Sequence, residues 1–189
     1  MPPLNDTVTA IAARLLSLDP GPLAELRRME PGGPGTPVFW RLAAEHDLPR
    51  GKTDAWMRIV RIMAILSDKG APETRKPLHD WKRPLGAALA DGGDKEWSPP
   101  GDEPSPVLSE ARFIRFLALP PEERGEALER MARALARRRQ PGHGLDCADI
   151  AKLLLFGGDP DPIRKLARDF YNRLDGAKRR AETQKEGTA

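Results

Sequence analysis

The stretch Thr53–Lys69, TDAWMRIVRIMAILSDK, decides the fold class. Its apolar residues Trp56, Ile59, Val60, Ile62, Met63 and Leu66 recur at helical spacing and cover most of the circumference, as expected for a helix at the centre of its domain. The polar stripe left over is narrow and holds Asp54, Arg58, Arg61 and Asp68. Helical spacing continues on both sides, and period-two alternation is almost absent, so the chain reads as all-α.

Prolines and glycines punctuate these helices. Asn5 or Asp6 is expected to open a helix through Ala12, Leu15 and Leu16, and Asp19-Pro20 a second. Thr36-Pro37 repeats that start before VFWRLAAEH. A short PLGAALADG segment ends at Gly92. From Gly92 to Val107, GGDKEWSPPGDEPSPV has four prolines, three glycines and no helical period. This acidic, Pro/Gly-rich segment (92–107) reads as a linker between two small helical bundles, one over 1–91 and one over 108–182. Residues 183–189 read as a disordered tail.

In the second bundle Ser109 is expected to cap LSEARFIRFLAL (Leu108–Leu119). Rotation by about 100° per residue puts Phe113, Ile114 and Leu117 on one side and Arg112 with Arg115 on the other. Next comes PPEERGEALERMARALARRR, with Leu128, Met131 and Leu135 as its apolar stripe, glutamates at its start and Arg137 to Arg139 at its end. Asp146 is expected to cap CADIAKLLLF, and Asp161-Pro162 to open IRKLARDFYNRL.

Composition narrows the function classes. The 189 residues carry 31 Lys+Arg against 28 Asp+Glu, a net charge of +3. Setting aside Asp91 to Glu103 leaves 30 basic against 23 acidic residues, a moderately basic body. One cysteine, Cys147, excludes an internal disulfide, and with only His46, His79 and His143 beside it no spaced ligand set for structural zinc exists. A reducing, cytoplasmic location is the default expectation. No apolar run nears the roughly 20 residues of a membrane span, and MPPLNDTV lacks the layout of a signal peptide.

Catalytic constellations are not recognisable, and neither a cofactor nor a metal is expected. GGPGTP (Gly32–Pro37) lacks the lysine of a phosphate loop, GGDPDP (Gly157–Pro162) the spaced acids of a calcium loop, and no E-x-x-H occurs for a ferritin-like site. His46 and His143 read as capping or surface groups, and Cys147 as a small packing residue. Trp40, Trp56 and Trp81 read as core or interface anchors, whereas Trp97 in the acidic segment either folds back or meets a partner. No helix pair stands out as a helix-turn-helix. The basic positions remain, and unpaired arginines in a row suit phosphates, because each guanidinium donates two hydrogen bonds. Backbone tracking is favoured over base reading.

LAELRR (Leu23–Arg28), FWRLAA (Phe39–Ala44), LSEARFIRFLAL and LARDFYNRL (Leu166–Leu174), in this order, resemble the CasB family, the small subunits of type I-E CRISPR surveillance complexes known as Cascade. Leu166 stands where that family usually has a tryptophan. The resemblance implies a non-catalytic assembly subunit that dimerises beside the backbone and large subunits. It also implies a surface supporting guide RNA, target DNA and the displaced strand. By position it assigns nucleic-acid contact to Arg27, Arg28, Arg112 and Arg115; Arg58 and Arg61 are added from their R-x-x-R spacing. The rival expectation is a helical protein–protein scaffold of another system, whose basic edges meet an acidic protein surface.

Overall fold

The apolar segment at the centre of the sequence is also central in space. The computed structural model describes residues 3–97 and 105–186, with side chains through 176. Its helices are α1 (Leu4–Ser17), α2 (Pro20–Arg28), α3 (Pro37–Glu45), α4 (Thr53–Leu66), α5 (Leu85–Ala90), α6 (Glu110–Leu117), α7 (Pro121–Arg138), α8 (Cys147–Leu155) and α9 (Asp161–Glu186). Short 3₁₀ turns occupy Arg50–Lys52 and Pro72–Thr74. Among the described residues there is no strand, only an isolated bridge between His79 and Leu145, so the fold is all-α. No helix there is long and apolar enough to cross a membrane.

Helix α4 buries Trp56, Met57, Ile59, Val60, Ile62, Met63, Ala64 and Leu66, and α1, α2, α7 and α8 all pack against it. The starts of α3 and α8 follow the expected chemistry: Thr36 Oγ1 accepts from Phe39 N at 3.3 Å and Asp146 Oδ1 from Ala148 N at 2.9 Å. Elsewhere the chemistry differs. The N-cap of α1 is Pro3, upstream of Asn5 and Asp6, and Ser109 precedes α6 without a side-chain cap bond.

The expected division into two bundles is not met. Helices of 1–91 and 108–182 share one hydrophobic core: α4 packs on α7 and α8, α1 on α8, and α5 lies along α9. The physical reason is α5 itself, LGAALA, whose small side chains allow backbone-to-backbone approach. A Cβ on Gly86 would fall 2.4 Å from Leu166 O and 2.8 Å from Phe170 N. The ends of the expected linker pack on this body: Val107 N donates to Leu89 O at 2.8 Å, and Arg173 of α9 donates to Trp97 O and lies over its ring. Trp97 therefore folds back; residues 98–104 lie outside the described residues. The final helix passes the expected boundary at 182 and runs to Glu186, and 187–189 lie outside the described residues.

Two side-chain expectations are corrected. In α6 the buried pair is Phe113 and Phe116, whereas Ile114 is 52% exposed. The reason is that Phe113 stacks on Phe170 of α9 at 3.9 Å, which turns the apolar face of α6 one residue away from Ile114. Of the tryptophans, Trp56 is core, but Trp40 and Trp81 are 48% and 71% exposed.

The α5–α9 contact yields a measurable outcome. Gly86→Ala is expected to destabilise the protein by about 1–3 kcal/mol through overpacking. Urea unfolding should remain a single transition with coincident far-UV dichroism and tryptophan fluorescence. Separate transitions for the two halves would contradict a shared core.

Candidate nucleic-acid interface

The six arginines singled out in the sequence separate into two groups once folded. Arg27 turns inward: its Nε donates to Ala64 O at 2.8 Å and its Nη2 to Ser67 O and Asp68 O at 2.9 and 3.2 Å. These are carbonyls at the C-terminal end of α4, left without intrahelical donors. Burial, with the charge of Arg75 nearby, pulls the Arg27 pKa below its usual value. Arg58 and Arg61 are engaged by one carboxylate on α7, Glu129, at 3.0 and 3.5 Å. Glu129 is only 7% exposed, so this cluster ties α4 to α7. Arg27, Arg58 and Arg61 of the expected site are thus each engaged within the fold and only partly exposed.

Arg28, Arg112 and Arg115 are exposed, and no ion pair involves them among the described residues. Arg112 and Arg115 line a groove with Arg130 over an apolar floor that includes Val107, Leu108, Phe116, Leu119 and Met131. Along α7 the cations continue at Arg133 and Arg137, which line a second cleft of about 650 Å³ together with Lys69, Thr74 and the inward-turned Arg27 and Arg139. Of the carboxylates along this edge, the exposed Glu126 lies 3.9 Å from Arg130, and Glu129, buried and held by Arg58, lies 3.9 Å from Arg133. The solvent-exposed Glu126–Arg130 pair is worth at most about 1 kcal/mol. From Arg130 to Arg137 the helix rises about 10 Å. That length spans roughly three phosphates at the ~3.4 Å rise of one duplex strand.

Sequence reading missed Arg130 and Arg133. The signal was present in R-x-x-R-x-x-x-R at positions 130, 133 and 137, on the side of α7 away from Leu128, Met131 and Leu135. It lay hidden because the neighbouring run Arg137 to Arg139 looks uniform. In the fold Arg138 donates to Pro106 O and Ser105 Oγ, and Arg139 is buried against Leu66 O and Asp68, so of the three only Arg137 faces outward unpaired among the described residues. Lys82-Arg83 and Arg164-Lys165 divide similarly. Arg83 is buried on Asp91, and Lys165 bridges Asp149 and Asp169.

Among the described residues no group of His, Cys, Asp and Glu is placed to hold a metal ion. His79 Nδ1 accepts from Cys147 N and His143 Nδ1 from Lys95 N, each at 3.2 Å. Burial, with Asp146 alongside, pushes the Cys147 thiol far above its usual pKa, which opposes thiolate formation. Burial likewise pushes the Asp91 carboxyl up, against the pull of Arg83 and Arg173. What the outer face of α6 and α7 offers is an extended row of guanidinium groups.

Compared with family models, curated proteins and solved structures, the chain has no match.

Two outcomes separate the structural from the exposed cations. Arg58→Ala is expected to cost about 1–3 kcal/mol in urea unfolding, because Glu129 stays buried with one partner fewer. Arg137→Ala should change stability by no more than about 0.5 kcal/mol. Cys147 should resist a thiol reagent in the native protein at pH 8 and react on addition of denaturant; rapid native labelling would refute its burial.

Proposed function

We propose that this chain is a non-catalytic small subunit of a type I-E Cascade complex that binds nucleic-acid backbone through the outer face of α6 and α7. The observation that carries this reading is the row Arg112, Arg115, Arg130, Arg133 and Arg137, exposed and either unpaired or only weakly paired among the described residues. Each guanidinium can donate two parallel hydrogen bonds to a phosphate. Where base pairing with a guide RNA supplies sequence specificity, a supporting subunit need only neutralise phosphates of guide RNA, target DNA and displaced strand. Self-association and contact with the backbone and large subunits belong to the same proposal, as does a cytoplasmic location.

A second reading has one observation in its favour. The groove between Arg112 and Arg130 has an apolar floor of Leu108, Phe116 and Met131 that phosphate binding does not need. An acidic protein segment with an apolar side chain fits it, as a helical interaction scaffold would require.

Salt titration of oligonucleotide binding separates the two. For the wild type, log K should fall linearly with log salt, by about 0.7 to 0.9 for each phosphate engaged. Arg112→Glu with Arg115→Glu, and separately Arg133→Glu with Arg137→Glu, should weaken binding and make that slope shallower by the same increment for each phosphate released. An unchanged slope and affinity in both pairs would remove this face from nucleic-acid binding. Co-purification with an RNA-containing assembly of several proteins is expected on the Cascade reading and not on the scaffold reading.

A further inference from the structure

The most exposed large apolar side chain described is Trp81, and it stands on a rigid turn. Asp80 N donates to Leu145 O at 2.9 Å, and Leu145 N to Leu78 O at 2.8 Å. Arg83 N closes the turn on Asp80 O at 3.1 Å, and Lys82 N bonds Asp80 Oδ1 at 3.0 Å. On the far side Arg83 is anchored through Asp91 and the carbonyls of His143 and Gly144. The backbone is held from both ends, while the indole makes no hydrogen bond among the described residues and remains 71% exposed. Lys82 places its ammonium 5.2 Å from the ring centroid.

A short stretch of chain joins this turn to the cleft beside α7. Asp68, on the cleft at the ends of α4 and α7, binds Arg139 and also accepts from Lys76 N at 3.1 Å. The chain leaves the cleft at Lys76, which is exposed, and reaches Trp81 five residues later. Five residues span at most about 18 Å. That is roughly five nucleotides at a ~3.4 Å rise per nucleotide, and fewer in an extended strand. A cationic path that ends at an open indole is the arrangement by which proteins hold single strands, phosphates on the cations and a base on the ring.

We propose that Trp81 is a stacking platform for one unpaired base of a single strand whose backbone runs along Lys82, Lys76 and the α7 cleft. This rests on the backbone-binding reading and adds to it a preference for single-stranded over duplex nucleic acid, because a paired base offers no free face.

The test compares a labelled 12-nucleotide oligo(dT), the same length of abasic strand and a duplex, by fluorescence anisotropy at fixed low salt. Trp81→Ala should bind oligo(dT) about tenfold more weakly, with Trp81→Phe retaining most of the affinity. Affinity for the abasic strand and the slope against salt should match the wild type. Equal binding of oligo(dT) by wild type and Trp81→Ala would overturn the proposal. So would an equal loss on the abasic strand, or a variant that binds every strand normally yet loses a protein partner. If the α6 and α7 arginine pairs weaken binding while Trp81→Ala does not, only the stacking proposal falls. If the wild type binds no strand, both proposals fall.

Discussion

Short helices have many ends, and each end leaves backbone carbonyls without intrahelical donors. Meeting that demand inside the protein is the constraint on which this structure depends, and arginine side chains meet it. Arg75 reaches Leu15 O, Leu16 O and Leu18 O at the end of α1 and Gly70 O beyond α4. Arg27 and Arg139 both serve the C-terminal end of α4, and Arg124 joins Leu119 O to Gly157 O. An arginine suits this task because its planar fork carries several donors at once and stays charged. The favourable interaction of a cation with the negative end of a helix adds to it.

The second constraint is steric. The small residues of α5 allow α9 to approach within backbone contact, and Asp91, at the end of α5, accepts from Arg83, Arg173 and Gly93 N. The middle and the end of the chain are thereby joined, and Phe113 of α6 is seated on Phe170. That seating orients α6 so that Arg112 and Arg115 face outward beside α7. Glu129 has the matching role on the other side of α7, drawing Arg58 and Arg61 of α4 inward.

The candidate surface is therefore defined by subtraction. Many of the cations are consumed in ending helices or pairing with buried acids, and among those left over are Arg112, Arg115, Arg130, Arg133 and Arg137 on α6 and α7. A formal net charge of +3 says little about such a surface. The inward-facing arginines lie against carbonyls and carboxylates, whereas the outward row on α7 is opposed by the exposed Glu126 and by Glu129, whose charge is already shared with Arg58 and Arg61. Local excess of one sign, and not the total, is what attracts a polyanion.

Helical period, proline starts and glycine stops were enough to establish the all-α class, the central place of α4 and the apolar stripe of α7, because these are local properties of spacing and backbone preference. The outward pair Arg112 and Arg115 was legible for the same reason, as both lie on one face of a short amphipathic helix. Whether a given arginine ends a helix or faces solvent was not legible. Arg27 and Arg28 are neighbours with opposite fates, and the difference depends on Ala64 O and Ser67 O, carbonyls 37 and 40 residues away. The single core was hidden likewise, since a Pro/Gly-rich acidic stretch looks like a boundary until Gly86 is seen against the backbone of Leu166 and Phe170. Residue order alone establishes which segments become helices and, for most of them, which faces are apolar. Packing then selects which cations remain free, because that choice depends on burial and on partners brought close from distant parts of the chain, neither of which has a local period.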